Sequence, residues 1–416
     1  MIAHVPAQSS PELQRRLGLA DSVVIGLGSM IGAGIFAALA PAAAAAESGL
    51  LIALVLAGFV AYCNATSSAR LAAVHPKSGG TYVYGREQLG EFWGYLAGWS
   101  FVVGKTASCA AMALTVGAYA WPAQQHAIAA GAVILLTAIN YVGVQKSAVL
   151  ARVIVAAVLA VLAAVLAACA NGPRTNLDLV ADTTPGGILQ AAGLLFFAFA
   201  GYARIATLGE EVRDPASTIP RAIAIALGLT LAVYAAVAVA VLSTLGAHTL
   251  ASTTDPLAQA VTAAGAGWLA PVVRIGAVLA ALGSLLALIL GVSRTTLAMA
   301  RDGHLPRRLD AVHPKFGVPH RAEIAVGVVV ALLAATVDLR SAIGFSSFAV
   351  LVYYLVANVS AWTLTTEQNR PPRWIPVLGA LGCVVLAVCL PWESVVGGMV
   401  VLSLGAGLWL VRSALN

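Results

Sequence analysis

The sequence predicts an all-helical membrane protein with twelve transmembrane spans, and three observations support this fold class. The 416 residues are 60% hydrophobic and only 10% charged, whereas soluble domains carry about 25% charged residues. Apolar stretches of about 20 residues, long enough to cross the hydrocarbon core of a bilayer, recur along the whole chain. Lysine and arginine gather in alternate connecting segments. This composition excludes a sizeable soluble domain.

Taken in order, the predicted spans are 23–46, 50–69, 92–120, 125–143, 149–170, 187–208, 221–245, 270–300, 322–339, 341–362, 376–390 and 394–411. An even number of spans places both termini on one side of the membrane. The positive-inside rule assigns segments rich in lysine and arginine to the cytoplasm. It therefore predicts cytoplasmic termini and a multi-pass protein of the cell (inner) membrane.

The basic balance, 23 Lys and Arg against 17 Asp and Glu, is explained by this topology, so we predict no nucleic-acid partner. The five cysteines lie in or beside apolar segments without a CxxC pair, which indicates small buried residues rather than disulfides or metal ligands. The polar N-terminus lacks a cleavable signal peptide, so insertion through the first helix is expected.

Two spans contain glycine or polar interruptions near mid-depth. Span one contains "GLGSMIGAGIF" (26–36) and span six contains "FFAFAGYAR" (196–204), although an internal glycine costs a helix roughly 1 kcal/mol relative to alanine. Interrupted spans at corresponding positions of two halves indicate an inverted-repeat transporter. We predict a single domain over 1–416, with repeats at 22–170 (spans 1–5) and 186–363 (spans 6–10), followed by spans 11 and 12 at 373–412.

The glycines of span one admit three interpretations. Gly28 and Gly32 match the small-xxx-small motif of helix packing. A dinucleotide-binding loop is disfavoured because the third glycine and the preceding strand are missing. A broken helix would expose backbone groups that survive in a membrane only where they line a cavity. Its N–H groups would suit a carboxylate and its carbonyls an ammonium, as in an α-amino acid. Packing and the broken helix both remain open.

Several long motifs resemble the amino acid–polyamine–organocation (APC) transporter family. "GSMIGAGIF" is similar to its span-one signature, and "FFAFAGYARIATLGEEVRDPASTIPRAI" (196–223) is similar to span six and the following loop of the cationic amino acid transporter branch. "HPKSGGTYVY" (75–84), "SRTTLAMARDGHLP" (293–306) and "VHPKFGVPH" (312–320) resemble further loops. The resemblance implies a LeuT-like five-plus-five inverted repeat that works by alternating access and binds substrate between spans 1, 3, 6, 8 and 10.

The resemblance also implies site residues, largely acting through their backbone. The implied substrate-binding residues are Ser29, Ile31, Gly32, Ala33, Gly34, Phe199, Ala200, Gly201, Tyr202 and Ala203. Phe199 or Tyr202 could cover the substrate side chain, with ordinary core packing as the alternative. The candidate coupling and gating residues are Lys105, Arg204, Ser284 and Phe345.

Charged residues mark where this chain departs from the family. Similar cationic transporters have an acidic residue where this chain has Ala203, and Arg204 follows it. Lys105 lies near mid-depth of span three, where a lysine costs roughly 2.5–3.5 kcal/mol on insertion scales. It could carry a proton or stand in for a sodium ion; alternatively, it bonds a carbonyl or extends toward the interface. Ser284 could lie near a cation site or merely pack, and Phe345 could contribute to an outer gate.

We therefore predict a secondary active transporter, a proton-coupled symporter of a neutral amino acid. The alternatives are an exchanger of cationic amino acids or polyamines, and a nutrient sensor built on a transporter fold. The histidines lie in loops or at span ends, so we predict neither an enzyme nor a metal site. No cofactor is expected beyond the coupling ion, a proton or alternatively sodium. The expected partners are the amino acid and the lipid bilayer, and the protein is expected to be a monomer or homodimer.

Overall fold

The structure is a computed structural model, which describes residues 17–76, 79–143, 148–173, 175, 183–206 and 211–415. Helices account for nearly all of the described chain. The helices of the first half are α1 (Leu19–Met30), α2 (Ala33–Ala37), α3 (Leu39–Ala46), α4 (Leu50–Val74), α5 (Thr81–Leu89), α6 (Glu91–Ala120), α7 (Gln125–Tyr141) and α8 (Ala148–Asn171). Those that follow are α9 (Pro185–Phe199), α10 (Ala203–Ala206), α11 (Pro215–Ser252), α12 (Pro256–Ala263), α13 (Ala270–Arg301), α14 (His320–Thr336), α15 (Leu339–Trp362), α16 (Trp374–Cys389) and α17 (Trp392–Leu415).

Each predicted span coincides with a helix or an interrupted helix. Span one corresponds to α1–α3, span six to α9 and α10, and spans two to five to α4, α6, α7 and α8. Spans seven to twelve correspond to α11 and α13–α17. Ten helical segments of the described chain are long and apolar enough to cross a membrane. α14 and α16, with 17 and 16 residues, fall below that length, so the count of twelve stays a prediction.

Two differences from the sequence prediction concern helix ends. α11 extends to Ser252, beyond the predicted end at residue 245, and kinks at Gly246, whose φ is 72°. Only glycine adopts such a positive φ at little cost, so the kink falls where the sequence allows it. The second difference is that α5 and α12 are short helices in predicted loops.

The burial of the helices divides the bundle into a centre and a periphery. In α6 and α15, 78% of the most apolar window is buried, against 17% in α17. Lipid-facing helices need no polar outer face because the bilayer is itself apolar. The central helices are therefore the ones that can line an internal site.

The packing partners of the helices follow a pattern used below. α1 packs against α11 and α8, while α9 packs against α4 and α15. α6 packs against α15 and α13, and α13 also packs against α8.

The chain entering α1 is tied to the chain leaving α10. Leu17 and Val212 form a parallel bridge. In it, the Leu17 N–H donates to the carbonyl of Glu211 at 3.0 Å, and the Arg213 N–H donates to the carbonyl of Leu17 at 2.9 Å. The two interrupted helices therefore begin and end side by side at this face of the bundle.

Candidate functional site

The first helix break lies where the sequence analysis expected it. α1 ends at Met30, and Ile31 (φ −79°, ψ 40°) and Gly32 (φ −93°, ψ −127°) leave the helical region before α2 begins at Ala33. The Ile31 N–H still bonds to the carbonyl of Leu27 at 2.7 Å. The predicted broken helix is therefore present, and its gap is two residues long.

Ser284 of α13 occupies the notch that this break creates. A Cβ on Gly32 would collide with the Ser284 hydroxyl, so glycine is required for the approach of α13. The hydroxyl donates to the carbonyl of Gly28 over a long 3.4 Å. Ser284, a predicted coupling residue, thus contacts the backbone of the first break.

The second break is milder than the first. α9 ends at Phe199, and residues Ala200–Tyr202 form a 3-10 turn before α10 begins at Ala203. A 3-10 turn tightens the chain without opening it, and mid-helix turns of this kind mark hinges or strain. The sequence located this interruption, but the structure shows a change of helix type rather than a gap.

The two breaks touch each other through glycine. A Cβ on Gly201 would collide with the carbonyl of Ser29, and a Cβ on Gly34 would lie 2.7 Å from the Cα of Ala198. These contacts join backbone to backbone, so a side chain at either glycine would push the interrupted helices apart. The packing interpretation and the broken-helix interpretation of span one therefore both hold at once.

Ser29 contributes its backbone rather than its hydroxyl to this contact. Its side chain donates to the carbonyl of Ile25 at 2.9 Å, within its own helix. The other predicted residues of the first break, Ile31, Gly32, Ala33 and Gly34, are buried.

Lys105 reaches the second break from α6. Its side chain is buried, and its amine donates to the carbonyl of Ala200 at 3.3 Å. Among the described residues, no carboxylate lies within ion-pair distance of it. The predicted mid-depth lysine is therefore at the site, and it bonds a carbonyl of the interrupted helix.

The candidate lid aromatics are fully buried against other rings. Phe199 lies against Tyr234, with ring centroids 5.2 Å apart, and Tyr202 lies against Tyr354, with centroids 5.1 Å apart. Neither ring is exposed by more than 1%. These contacts describe packed aromatics, which is the alternative that the sequence analysis left open.

Two further predicted residues lie outside the contact between the breaks. Arg204 is half-buried in α10, one turn beyond Ala200, with Arg294 and Glu211 as the charged groups that act on it. Phe345 is half-buried and lies 3.8 Å from the position of a Cβ on Gly397 in α17. The structure thus places Phe345 beside α17 rather than beside the two breaks.

The sequence analysis missed Tyr234. Its hydroxyl lies 2.5 Å from the carbonyl oxygen of Met30 and 3.1 Å from that of Ala198. It is therefore shared between the two broken helices. The signal was a single tyrosine in the aliphatic run "LAVYAAVAVAVL" of span seven. Nothing local in the sequence says which carbonyls such a tyrosine reaches.

Comparison with known proteins gives the family. The family model described as amino acid permease matches residues 17–411. The chain belongs to the amino acid permease (APC) family. This permease is therefore a multi-pass membrane transporter and not an enzyme, and the resemblance drawn from its motifs is confirmed.

Several relatives bear on the substrate. An uncharacterised transporter of Mycobacterium tuberculosis is 68% identical over 98% of this chain and 93% of its own. A branched-chain amino acid permease of Bacillus subtilis is 27% identical over 96% of this chain and 93% of its own. A vacuolar cationic amino acid transporter of Arabidopsis thaliana is 28% identical over 88% of this chain and 65% of its own.

Proposed function

We propose that this permease is a secondary active transporter that moves an amino acid across the cell membrane by alternating access. The observation that carries the proposal is the direct contact of two interrupted helices, at Gly201 with Ser29 and at Gly34 with Ala198. Interrupted helices that meet at mid-depth place backbone ligands where a transporter binds its substrate.

Helix packing supports the five-plus-five inverted repeat. If span n corresponds to span n + 5, the pair α1–α11 corresponds to α9–α4, and both pairs are packed. In the same way α1–α8 corresponds to α9–α15, and α6–α15 corresponds to α13–α8; all four pairs are packed. Spans eleven and twelve then lie outside the repeat, in a bundle of twelve.

The side chains at the two breaks follow the same exchange. α6 is the third span of the first half, and its Lys105 contacts the break of span six. α13 is the third span of the second half, and its Ser284 contacts the break of span one. Corresponding helices therefore each place one polar side chain on the opposite break, as expected for a substrate bound on the pseudo-symmetry axis.

The backbone would hold the constant part of the amino acid. Carbonyls of Met30, Ala198 and Ala200 already attract donors from Tyr234 and Lys105, so they can also accept from a substrate ammonium. The backbone amides of residues 32–34 would take the carboxylate. Phe199 and Tyr202 would have to move aside as the substrate enters.

Charge favours a neutral amino acid as the substrate. Lys105 and Arg204 are cations at or near the second break, and like charges in a low-dielectric site repel strongly. Arginine, lysine and polyamines are therefore disfavoured. The Bacillus subtilis relative is described as a branched-chain amino acid permease, which agrees with this choice; the cationic transporter of Arabidopsis thaliana is the alternative.

Coupling would be to protons through Lys105, the buried amine that contacts the second break. The gain or loss of its proton changes the strength of the bond to Ala200, because a charged donor bonds about twice as strongly as a neutral one. Protonation is thereby linked to the interrupted helix. The asymmetry of lysine and arginine between the connecting segments places both termini in the cytoplasm.

The test begins with purified protein and a thermal-shift screen against the proteinogenic amino acids and polyamines, since a ligand that binds the folded state raises its melting temperature. The stabilising amino acid is then radiolabelled, and uptake is measured in liposomes with and without an inward proton gradient. We expect counterflow without a gradient and accumulation with one; protein-free liposomes are the control. If no amino acid shows counterflow, the proposal is wrong, and stabilisation by polyamines alone would favour the exchanger.

A further inference from the structure

A single hydroxyl group connects the two helix breaks. Tyr234 belongs to α11, and its Oη lies 2.5 Å from the carbonyl oxygen of Met30 and 3.1 Å from that of Ala198. Met30 is the last residue of α1, and Ala198 is the penultimate residue of α9. The hydroxyl therefore lies between the two interrupted helices at their point of contact.

The hydroxyl cannot satisfy both carbonyls. A phenol has one hydrogen to donate, so at any moment one of the two carbonyl oxygens lacks the Tyr234 donor. Inside a membrane a carbonyl without a donor is costly. An ammonium carries several N–H donors and can supply the missing one. The pair of carbonyls is therefore an acceptor site that remains incomplete until a cationic donor arrives.

The position of Tyr234 is fixed from two sides. Its ring lies against the ring of Phe199, with centroids 5.2 Å apart, and its side chain is 1% exposed. A Cβ on Gly34 would lie 3.3 Å from the Tyr234 oxygen, which is tighter than an ordinary contact. Glycine at position 34 thus leaves room for the hydroxyl, and the hydroxyl holds Met30 and Ala198 at a fixed spacing.

We propose that Tyr234 is a positioning residue for transport: it clasps the two broken helices so that the Met30 and Ala198 carbonyls are spaced to bind the substrate ammonium. This inference rests on the proposed function, in which an amino acid binds at the breaks. It adds that the affinity for the amino group, common to all amino acids, depends on a side chain in span seven.

The test compares two isosteric variants. Tyr234→Phe removes the hydroxyl from the clasp. Tyr95→Phe is the matched control, because Tyr95 is 2% exposed and donates to the carbonyl of Gly405 at 2.9 Å, between α6 and α17 and away from both breaks. Initial uptake rates in liposomes are measured against concentration for the amino acid that gives the fastest wild-type uptake.

For Tyr234→Phe we expect KM to rise about tenfold, the effect of one buried hydrogen bond and its unsatisfied acceptor, with the maximal rate per folded protein unchanged. The rise should be the same for every amino acid carried, because the clasp acts on the common amino group. Tyr95→Phe should leave KM unchanged. An unchanged KM in Tyr234→Phe, or an equal rise in both variants, overturns the proposal.

A second variant tests the clasp without altering Tyr234. Gly34→Ala places a methyl group 2.7 Å from the Cα of Ala198 and so displaces α9 from the hydroxyl. It should likewise raise KM, and it decides the question if Tyr234→Phe does not yield monodisperse protein; an unchanged KM again counts against the clasp. Failure of wild-type protein to carry any amino acid would instead refute the proposed function.

Discussion

The amine of Lys105 lies 3.3 Å from the carbonyl oxygen of Ala200, so a side chain of span three contacts the 3-10 turn that interrupts span six. The bond is buried, and charged groups inside a bilayer are rare outside functional sites. Whether the amine carries its proton therefore affects the helix that is expected to move.

The first prediction concerns coupling. Lys105→Met keeps an unbranched apolar side chain of similar length and removes both the charge and the donor. We expect accumulation driven by a proton gradient to fall at least tenfold, to about the level without a gradient, while counterflow persists. Lys315→Met is the control, because Lys315 lies beside Phe316 in the segment between α13 and α14. Retention of gradient-driven accumulation in Lys105→Met would disprove the coupling role.

The second prediction concerns the contact between the breaks. In Gly201→Ala the new methyl group collides with the carbonyl of Ser29, and rigid backbone cannot yield as a flexible side chain can. We expect uptake to fall at least tenfold and the melting temperature to decrease. Gly228→Ala is the matched control, since a Cβ on Gly228 in α11 meets nothing within 4 Å and alanine is the better helix former. Equal uptake by both variants would contradict the close approach of the breaks.

The positions of the spans and breaks could be read from the sequence because they depend on local composition. Apolar length defines a span, and a glycine cluster such as "GSMIGAG" weakens a helix wherever it folds. Lys105 could be singled out for the same reason: a lysine at mid-depth is costly whatever surrounds it. Its carbonyl partner was one of the stated alternatives, and the structure places that partner in the second break.

Contacts between distant segments could not be read in the same way. Tyr234 reaches Met30, 204 residues away in the chain, and no periodicity encodes such a pairing. Phe345 was chosen as a gate from its span alone, but the rotation of α15 sets it beside Gly397, while its neighbour Ser346 faces Ser108 of α6 at 2.6 Å. Helix rotation depends on all packing partners together, which the sequence of one span does not contain.

The third prediction concerns an ion pair beside α12. Asp255 is 2% exposed, and it accepts hydrogen bonds from Arg274 at 2.7 Å and from Gln259 at 2.9 Å. Removal of the arginine leaves a buried carboxylate with one donor fewer, which costs about 1–3 kcal/mol. We expect Arg274→Gln and Asp255→Asn each to lower the melting temperature, with a coupling free energy of about 1 kcal/mol in the double-mutant cycle.

The control for that cycle is the ion pair of Arg301 and Asp310. Its side chains are 55% and 39% exposed, and exposed pairs contribute little to stability. The cycle there should give a coupling free energy of about 0–0.5 kcal/mol. A coupling at Asp255 and Arg274 no larger than this would show that burial does not strengthen the pair.

A cluster of titratable side chains joins α5 to the end of α13. The Tyr82 hydroxyl lies 2.9 Å from Nδ1 of His304 and donates to Asp302 at 2.5 Å, and Arg86 bonds the same carboxylate at 3.0 Å. Glu91 lies 3.9 Å from Nε2 of His304. Burial lowers the pKa of His304 below its ordinary value; the carboxylates of Glu91 and Asp302 oppose this effect, and the cations Arg86 and Arg412 add to it.

The fourth prediction is the pH dependence that follows from this lowered pKa. In the unfolded chain His304 titrates near its ordinary pKa of 6.5, and in the folded protein it titrates at lower pH. Above 6.5 the imidazole is neutral in both states, so the contribution of His304 to stability is fully present. As the pH falls further, the unfolded chain takes up the proton first, and the free energy of unfolding decreases until the folded-state pKa is passed. We expect the melting temperature of wild-type protein to fall more between pH 7.5 and 5.5 than that of His304→Gln, by about 2 °C. Parallel curves for the two proteins would show that His304 titrates alike in both states, and a steeper fall in the variant would reverse the sign argued from its burial.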